Sequence, residues 1–139
     1  MKTNIENIAT IIASAIWADN AYDEAEKETV MEIAEALEIE TEPFVAAVDA
    51  QVAKLADMDD EKASNALFDA AEKVDSEEIG EVFESAMQIL ISDNELTYTE
   101  VANLLTIADA LGIEDEMAVL MLADLVKTEP ELEINFDEE

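Results

Sequence analysis

Hydrophobic and polar residues recur along this chain at intervals of three and four positions, and Ala, Leu, Ile and Glu dominate the pattern. That interval is the period of an amphipathic α-helix, whereas the alternation of β-branched residues that is typical of strands is absent. The only glycines and prolines are Gly80, Gly112, Pro43 and Pro130. The pattern therefore predicts an all-α protein.

About seven helices follow from this pattern and from the polar residues that favour helix starts. Helix 1 is expected over 5–18, helix 2 from the N-cap Asp23 to about Leu37, helix 3 from the N-cap Thr41 to about Leu55, helix 4 over 60–74, helix 5 from the N-cap Ser76 toward Ser92, helix 6 from the N-cap Thr97 to a stop at Gly112, and helix 7 over 116–126. Helix 1 is expected to turn one face inward, with Ile5, Ile8, Ile12, Ala15 and Ile16.

The chain also repeats itself at an offset of 74 residues. The segment ADNAYDEAEKETVMEIAEALEI, residues 18–39, returns as SDNELTYTEVANLLTIADALGI, residues 92–113. Residues 1–128 are therefore expected to form a single domain of two three-helix repeats, 5–54 and 79–128, joined by helix 4 about a pseudo-twofold axis. Residues 129–139 are acidic and are expected to be a frayed tail.

Helix 7 contains the run MAVLMLADLV, residues 117–126, which is apolar on more sides than a simple surface helix. Such a helix either lies at the centre of the fold or touches another subunit. Central burial is the favoured interpretation.

The charge of the chain restricts its possible functions. The chain has 37 Asp and Glu but only six Lys, which gives a net charge of −31, and it has no Arg, His or Cys. The usual neutral-pH general base, the bidentate phosphate clamp and the His-activated nucleophile are all excluded, so a non-enzyme is expected. Direct binding to nucleic acid is disfavoured because the surface repels phosphate. Metal ions or basic protein surfaces remain as partners, although a solvated acidic surface accounts for most of the carboxylates.

Two further expectations concern location. The sequence contains neither an apolar run long enough to span a membrane nor a cationic start followed by an apolar segment. A cytoplasmic protein without a membrane span is therefore expected, and the absence of Cys fits a reducing compartment.

The polar part of the repeat has one arrangement in both copies. Asp19 ends one helix and Glu26 stands seven positions later in the first turn of the next, and Asp93 and Glu100 repeat this spacing. In a tight helical hairpin these two turns are neighbours, so each Asp can approach its Glu. Asn20 and Asn94 suit the left-handed residue that terminates the first helix.

Two interpretations of these carboxylates compete. Glu26 and Glu100 can act as the third residue of a capping box, bonding back to the backbone of Asp23 and Thr97. Capping does not explain Asp19 and Asp93, since a carboxylate at a helix C-terminus opposes the dipole and lies near a like charge. A bound cation would remove both penalties.

The composition narrows the choice of cation. Without His or Cys, zinc is disfavoured, and oxygen donors suit Ca²⁺, Mg²⁺ or Mn²⁺. The segment is not an EF-hand, because Glu24 and Val30 stand where that loop needs Gly and Glu. The expected ligands are Asp19, Glu26, Asp93 and Glu100, and the possible secondary oxygen donors are Asn20, Asp23, Asn94 and Glu95.

These residues resemble the repeated signature of TerB-like, tellurite-resistance-type domains, in which a helix ends in Ala-Asp-Gly and a Glu follows seven residues after the Asp. The chain reads Ala-Asp-Asn at 18–20 with Glu26, and Ser-Asp-Asn at 92–94 with Glu100, so Asn replaces both glycines. The resemblance implies an all-α two-repeat bundle, an acidic cluster that binds divalent metal, and a role in tellurite resistance, stress response or phage defence.

Two functions are therefore predicted from the sequence. The first is a non-catalytic domain that binds or senses a divalent cation. The alternative is an acidic interaction protein, such as a DNA mimic or inhibitor that occupies basic clefts. An enzyme ranks third, because no sequence feature nominates a substrate.

Overall fold

The computed structural model describes residues 4–19, 24–91, 95–128 and 133–135. The described residues form seven α-helices and two three-residue strands, which confirms the all-α class. In chain order the elements are α1 (Ile5–Asp19), α2 (Glu24–Ala36), α3 (Thr41–Ala56), α4 (Asp60–Glu72), α5 (Ile79–Leu90), β1 (Glu95–Thr97), α6 (Tyr98–Leu111), α7 (Asp115–Thr128) and β2 (Glu133–Asn135).

Helix α1 lies at the centre of the bundle and packs against α3, α4, α5 and α6. Its inward surface is wider than the single face predicted from the sequence, because Ala9, Ile11 and Ala13 are fully buried as well. A helix surrounded by four others needs apolar side chains on several sides. Two buried or half-buried hydroxyls are satisfied within the helix, where Thr10 donates to the carbonyl of Glu6 at 2.9 Å and Ser14 to that of Thr10 at 3.0 Å.

Helix α7 does not occupy the centre, so the favoured interpretation of MAVLMLADLV was wrong. Of its residues only Ala118 is buried, and α6 is the one helix against which it packs extensively in the described part of the chain. Met117, Val119 and Leu120 are 53, 50 and 63% exposed. The central position is already taken by α1, which has no charged side chain between Glu6 and Asp19.

Helix starts agree with the predicted ones to within three residues. Two of the predicted N-caps, Thr41 and Ser76, are wrong. Asp59 caps α4, and its carboxylate accepts the N–H of Lys62 at 2.8 Å. Thr41, predicted as an N-cap, is instead the first residue of α3. Ser76 does not cap α5 either, because the carboxylate of Asp75 accepts the N–H of Glu77 at 2.9 Å and forms a separate turn before the helix.

Three residues of the acidic tail lie in the described part of the structure. Glu133–Asn135 forms β2 and pairs in parallel with β1, aligning Leu96 with Ile134. The expected frayed tail therefore does not extend through these three residues, whose backbone groups are used by the ladder.

The 74-residue repeat reappears in the helix boundaries. The helices α1, α2 and α3 begin at residues 5, 24 and 41, and α5, α6 and α7 begin at 79, 98 and 115. Local backbone structure is therefore shared by the two copies, while their relation by a pseudo-twofold axis stays a prediction.

The end of α2 is closed by a Schellman motif, in which two N–H groups beyond the helix bond back to its last turn. Ile39 donates to the carbonyl of Ala34 at 2.8 Å, and Glu38 donates to that of Glu35 at 3.1 Å. The motif requires a left-handed residue, and Glu38 has φ 61°.

The end of α6 repeats the same two bonds 74 residues later. Ile113 donates to Ala108 at 2.8 Å and Gly112 to Asp109 at 3.1 Å. Here the left-handed position is Gly112, with φ 81°, which confirms it as the residue that stops the helix. Glu38 and Gly112, at equivalent positions of the two copies, thus adopt the same left-handed backbone conformation.

We expect Glu38→Gly to raise the free energy of unfolding by roughly 0.5–1 kcal/mol. Relief of the left-handed strain contributes about 1–2 kcal/mol, and the greater freedom of Gly in the unfolded chain offsets about 0.4–1 kcal/mol of it. Conversely, Gly112→Ala should lower it by about 1 kcal/mol, although a Cβ there meets nothing within 4 Å. Urea denaturation measures both, and Glu38→Gln controls for loss of the charge. If Glu38→Gln stabilises the protein as much as Glu38→Gly does, the gain comes from loss of the charge and not from relief of the left-handed strain.

A second pair of variants tests which helix is central. Ile12→Ala, at a fully buried position of α1, should cost about 2–5 kcal/mol, whereas Leu120→Ala, at a 63% exposed position of α7, should stay within about 0.5 kcal/mol of the parent. Equilibrium denaturation measures the difference. Comparable losses for the two variants would contradict the central position of α1.

Candidate metal centre

Glu26 and Glu100 occupy the same place in the two copies. Each is the third residue of its helix, since α2 begins at Glu24 and α6 begins at Tyr98. This is the position that the capping-box interpretation predicted. The dipole of each helix favours a carboxylate there.

Both glutamates are buried, which the sequence did not predict. Glu26 is 2% exposed and Glu100 is 4% exposed, whereas Glu24 and Glu28 on the same helix are exposed. Among the described acidic residues, Glu78 at 8% is the only other one that is buried. The glutamate at this equivalent position is therefore buried in both copies.

Helical spacing explains this burial. Each glutamate begins a stripe at intervals of four, three and four residues that faces the core. The stripes are Glu26, Val30 and Ile33 in α2 with Leu37 just beyond its end, and Glu100, Leu104, Ile107 and Leu111 in α6, and every member is at most 7% exposed. The carboxylates thus lie at the polar end of an otherwise apolar inward face.

Enclosing a carboxylate is costly unless its charge is compensated. Both glutamates interact with neighbouring groups, and Oε2 of Glu26 is inaccessible to solvent. The helix N-terminus supplies part of the compensation, worth typically 0.3–1 kcal/mol at a surface and up to about 2 kcal/mol where partly buried. A cation would supply more at this end of the helix.

The predicted aspartate partners are described less fully. Asp19 is the last residue of α1, as expected, but its side chain lies outside the described part of the structure. Asp93 lies outside the described residues, as do Asn20, Asp23 and Asn94, and only the backbone of Glu95 is described, in β1. Two of the four predicted ligands are thus placed with their side chains.

Within the described residues, no group of three or more acidic side chains is arranged to hold a metal ion. The described side chains include those of Glu26 and Glu100 but not those of Asp19 and Asp93. Helix α5 packs against both α2 and α6, while α2 and α6 share no extensive contact in the described regions. The donor set that is present, carboxylate oxygen without nitrogen or sulfur, fits a hard divalent cation.

A second acidic feature is a groove of about 250 Å³ between α2 and α5. Its charged lining comprises Glu32, Glu81 and Glu84. All three are exposed, so their sequence pattern is that of a solvated helix face. The sequence carries no signal that would single out this groove, because the groove arises from the packing of two helices that are distant in the chain.

Comparison of the chain with models of protein families, with curated proteins and with solved structures finds no match. The resemblance to TerB-like domains therefore rests on the repeated motif. None of the described helices combines the length and apolar character needed to cross a bilayer.

The burial of Glu26 can be tested with its exposed neighbour as a control. We expect Glu26→Ala to lower the free energy of unfolding by about 0.5–3 kcal/mol, because an enclosed, interacting side chain is removed, and Glu24→Ala to change it by less than about 0.5 kcal/mol. Glu100→Ala should resemble Glu26→Ala. Urea denaturation measures all three, and equal effects of Glu24→Ala and Glu26→Ala would contradict an energetic role for burial.

Proposed function

We propose that this protein is a non-catalytic domain that binds a divalent cation, Ca²⁺, Mg²⁺ or Mn²⁺, through the carboxylates of Asp19, Glu26, Asp93 and Glu100. The observation that supports it most directly is the burial of Glu26 and Glu100, at 2 and 4% exposure, at equivalent positions of the two copies. A chain with 37 acidic residues could leave all of them in water, yet it encloses this pair.

Capping alone is a weaker explanation for an enclosed glutamate. A capping-box side chain needs only to reach the backbone N–H three residues earlier, which it can do while solvated at the helix surface. Burial adds a desolvation penalty that a backbone bond offsets only in part. A divalent cation would add positive charge beside these carboxylates, in a chain that has six Lys for 37 acidic residues.

The four carboxylates would leave coordination positions open. Ca²⁺ takes six to eight oxygen ligands, and Mg²⁺ retains several waters, so the remaining positions fall to water and to nearby oxygen donors. Asn20, Asp23, Asn94 and Glu95 are the candidates that the sequence offers. Asp19, the last residue of α1, gains most, because the ion removes its unfavourable interaction with the helix dipole.

The resemblance to TerB-like domains supports the same assignment, since the four carboxylates match that family's motif residue by residue. It extends the proposal to a role in tellurite or stress response, or in phage defence. The chain has no His, Cys or Arg, so the usual neutral-pH general base and the His-activated nucleophiles are absent, and a binding or sensing role is proposed rather than an enzymatic one.

The metal proposal predicts a response beyond general counterion screening. Thermal unfolding should be followed with each divalent chloride and with NaCl at matched ionic strength. A site at about 100 times its dissociation constant adds about 2.7 kcal/mol of stability. In Asp19→Asn/Asp93→Asn we expect the excess stabilisation by the divalent ion to disappear, because two of four ligands lose their charge.

Two control variants sharpen this test. Asp69→Asn/Asp109→Asn removes the same charge from exposed helical positions and should keep the full response. Glu26→Gln/Glu100→Gln can still form a capping box, because Gln also serves at this position, yet it should lose the response. If the ligand-site variants gain as much from the divalent ion as Asp69→Asn/Asp109→Asn does, the proposed site is wrong.

A further inference from the structure

The outward surface of α7 combines exposed apolar and acidic residues, and we call it the α7 face: Glu116, Met117, Val119, Leu120 and Asp124. Among the described residues four large apolar side chains are exposed, and three of them, at 50–63%, belong to this face. The fourth is Met31 of α2, at 41%. The apolar exposure is therefore concentrated on one helix.

The α7 face lies opposite the contact with the bundle. Ala118 is 1% exposed, and residues one to two positions away point in other directions around the helix. Glu116, Leu120 and Asp124 follow one another at four-residue intervals and form an outward ridge that is acidic, apolar and acidic in turn. Met117 and Val119 flank Leu120 on its two sides.

We infer that the α7 face binds a basic amphipathic helix of another protein. Apolar side chains of that helix would cover Leu120 and its neighbours, and two of its Lys or Arg residues would pair with Glu116 and Asp124. These two acids are eight residues apart, which is roughly 12 Å along a helix axis. The partner thus needs cations about two turns apart, with apolar residues between them.

Charge complementarity identifies this occupant. The chain carries a net charge of −31, so its field attracts a cationic helix and orients it before contact. A second copy of this chain would bring the same charge against the first and is disfavoured for that reason. Methionine suits such a surface, because its flexible side chain adapts to different apolar partners.

This inference is independent of the proposed metal site, since none of the five residues of the α7 face is a proposed ligand. It assigns a place and a partner chemistry to the attraction for basic proteins that the composition predicts. The charge alone would act over the whole surface, whereas the apolar exposure selects α7.

The test uses a synthetic 16-residue peptide with Leu on one helical face and Lys on the other, and a scrambled peptide of the same composition that is not amphipathic. Both carry fluorescein, and binding to the full chain is followed by fluorescence anisotropy in 0.15 M NaCl. We expect the amphipathic peptide to bind at least about tenfold more tightly than the scrambled one. Val119→Ser/Leu120→Ser should weaken that binding at least about tenfold, since it removes the central apolar contact.

The matched control is Met31→Ser, which removes an exposed apolar side chain from α2 and should change the affinity less than about twofold. All of these positions are exposed, so melting curves of the variants should coincide with that of the parent. Equal binding of the two peptides, or equal binding by the parent and Val119→Ser/Leu120→Ser, would overturn the inference. So would absence of peptide binding, or sedimentation showing a dimer that this double variant dissociates.

Discussion

Because α1 carries no charged side chain between Glu6 and Asp19 and is apolar on most sides, α3, α4, α5 and α6 pack around it. Seven of its apolar residues are at most 1% exposed: Ile8, Ala9, Ile11, Ile12, Ala13, Ala15 and Ile16. Alanine at three of these positions lets neighbouring helices approach closely, and isoleucine fills the space between them. The remaining helices need only one apolar stripe each, since one side of each can face water.

The separation of buried apolar residues from residues that face water also governs where the charges of the chain lie. A net charge of −31 repels itself in any compact state, so nearly all of the described carboxylates lie at the surface, where water and counterions screen them. Glu26, Glu78 and Glu100 are the described exceptions. Two of these three, Glu26 and Glu100, occupy equivalent positions of the repeat, so the candidate site lies at the starts of α2 and α6 and not on the acidic surface.

The repeat is preserved most closely where the backbone has special requirements. The hydrogen bonds that close α2 and α6 match at 2.8 and 3.1 Å, although one copy uses Glu38 and the other Gly112 at the left-handed position. The outer helices of the two copies differ far more. Helix α3 buries Phe44, Val48 and Leu55, whereas its counterpart α7 buries Ala118 alone and leaves Leu120 exposed. The third helix of the first copy thus packs several large apolar residues into the core, whereas that of the second copy leaves apolar residues at the surface.

The sequence by itself determined the helical class, the approximate bounds of the seven helices, the stop at Gly112 and the third-residue positions of Glu26 and Glu100. Periodicity and capping act within a few residues, so they can be recognised without tertiary structure. The absence of charge over residues 7–18 of α1 is a signal for a central helix, and this stretch is longer than the charge-free run 117–123 of α7. Only the tertiary structure decided which of the two is surrounded, because that depends on how many other helices pack against each. It likewise decided that Glu26 and Glu100 are enclosed, and that Glu133–Asn135 pairs with Glu95–Thr97. These outcomes depend on contacts between residues far apart in the chain, and local pattern carries no information about such contacts.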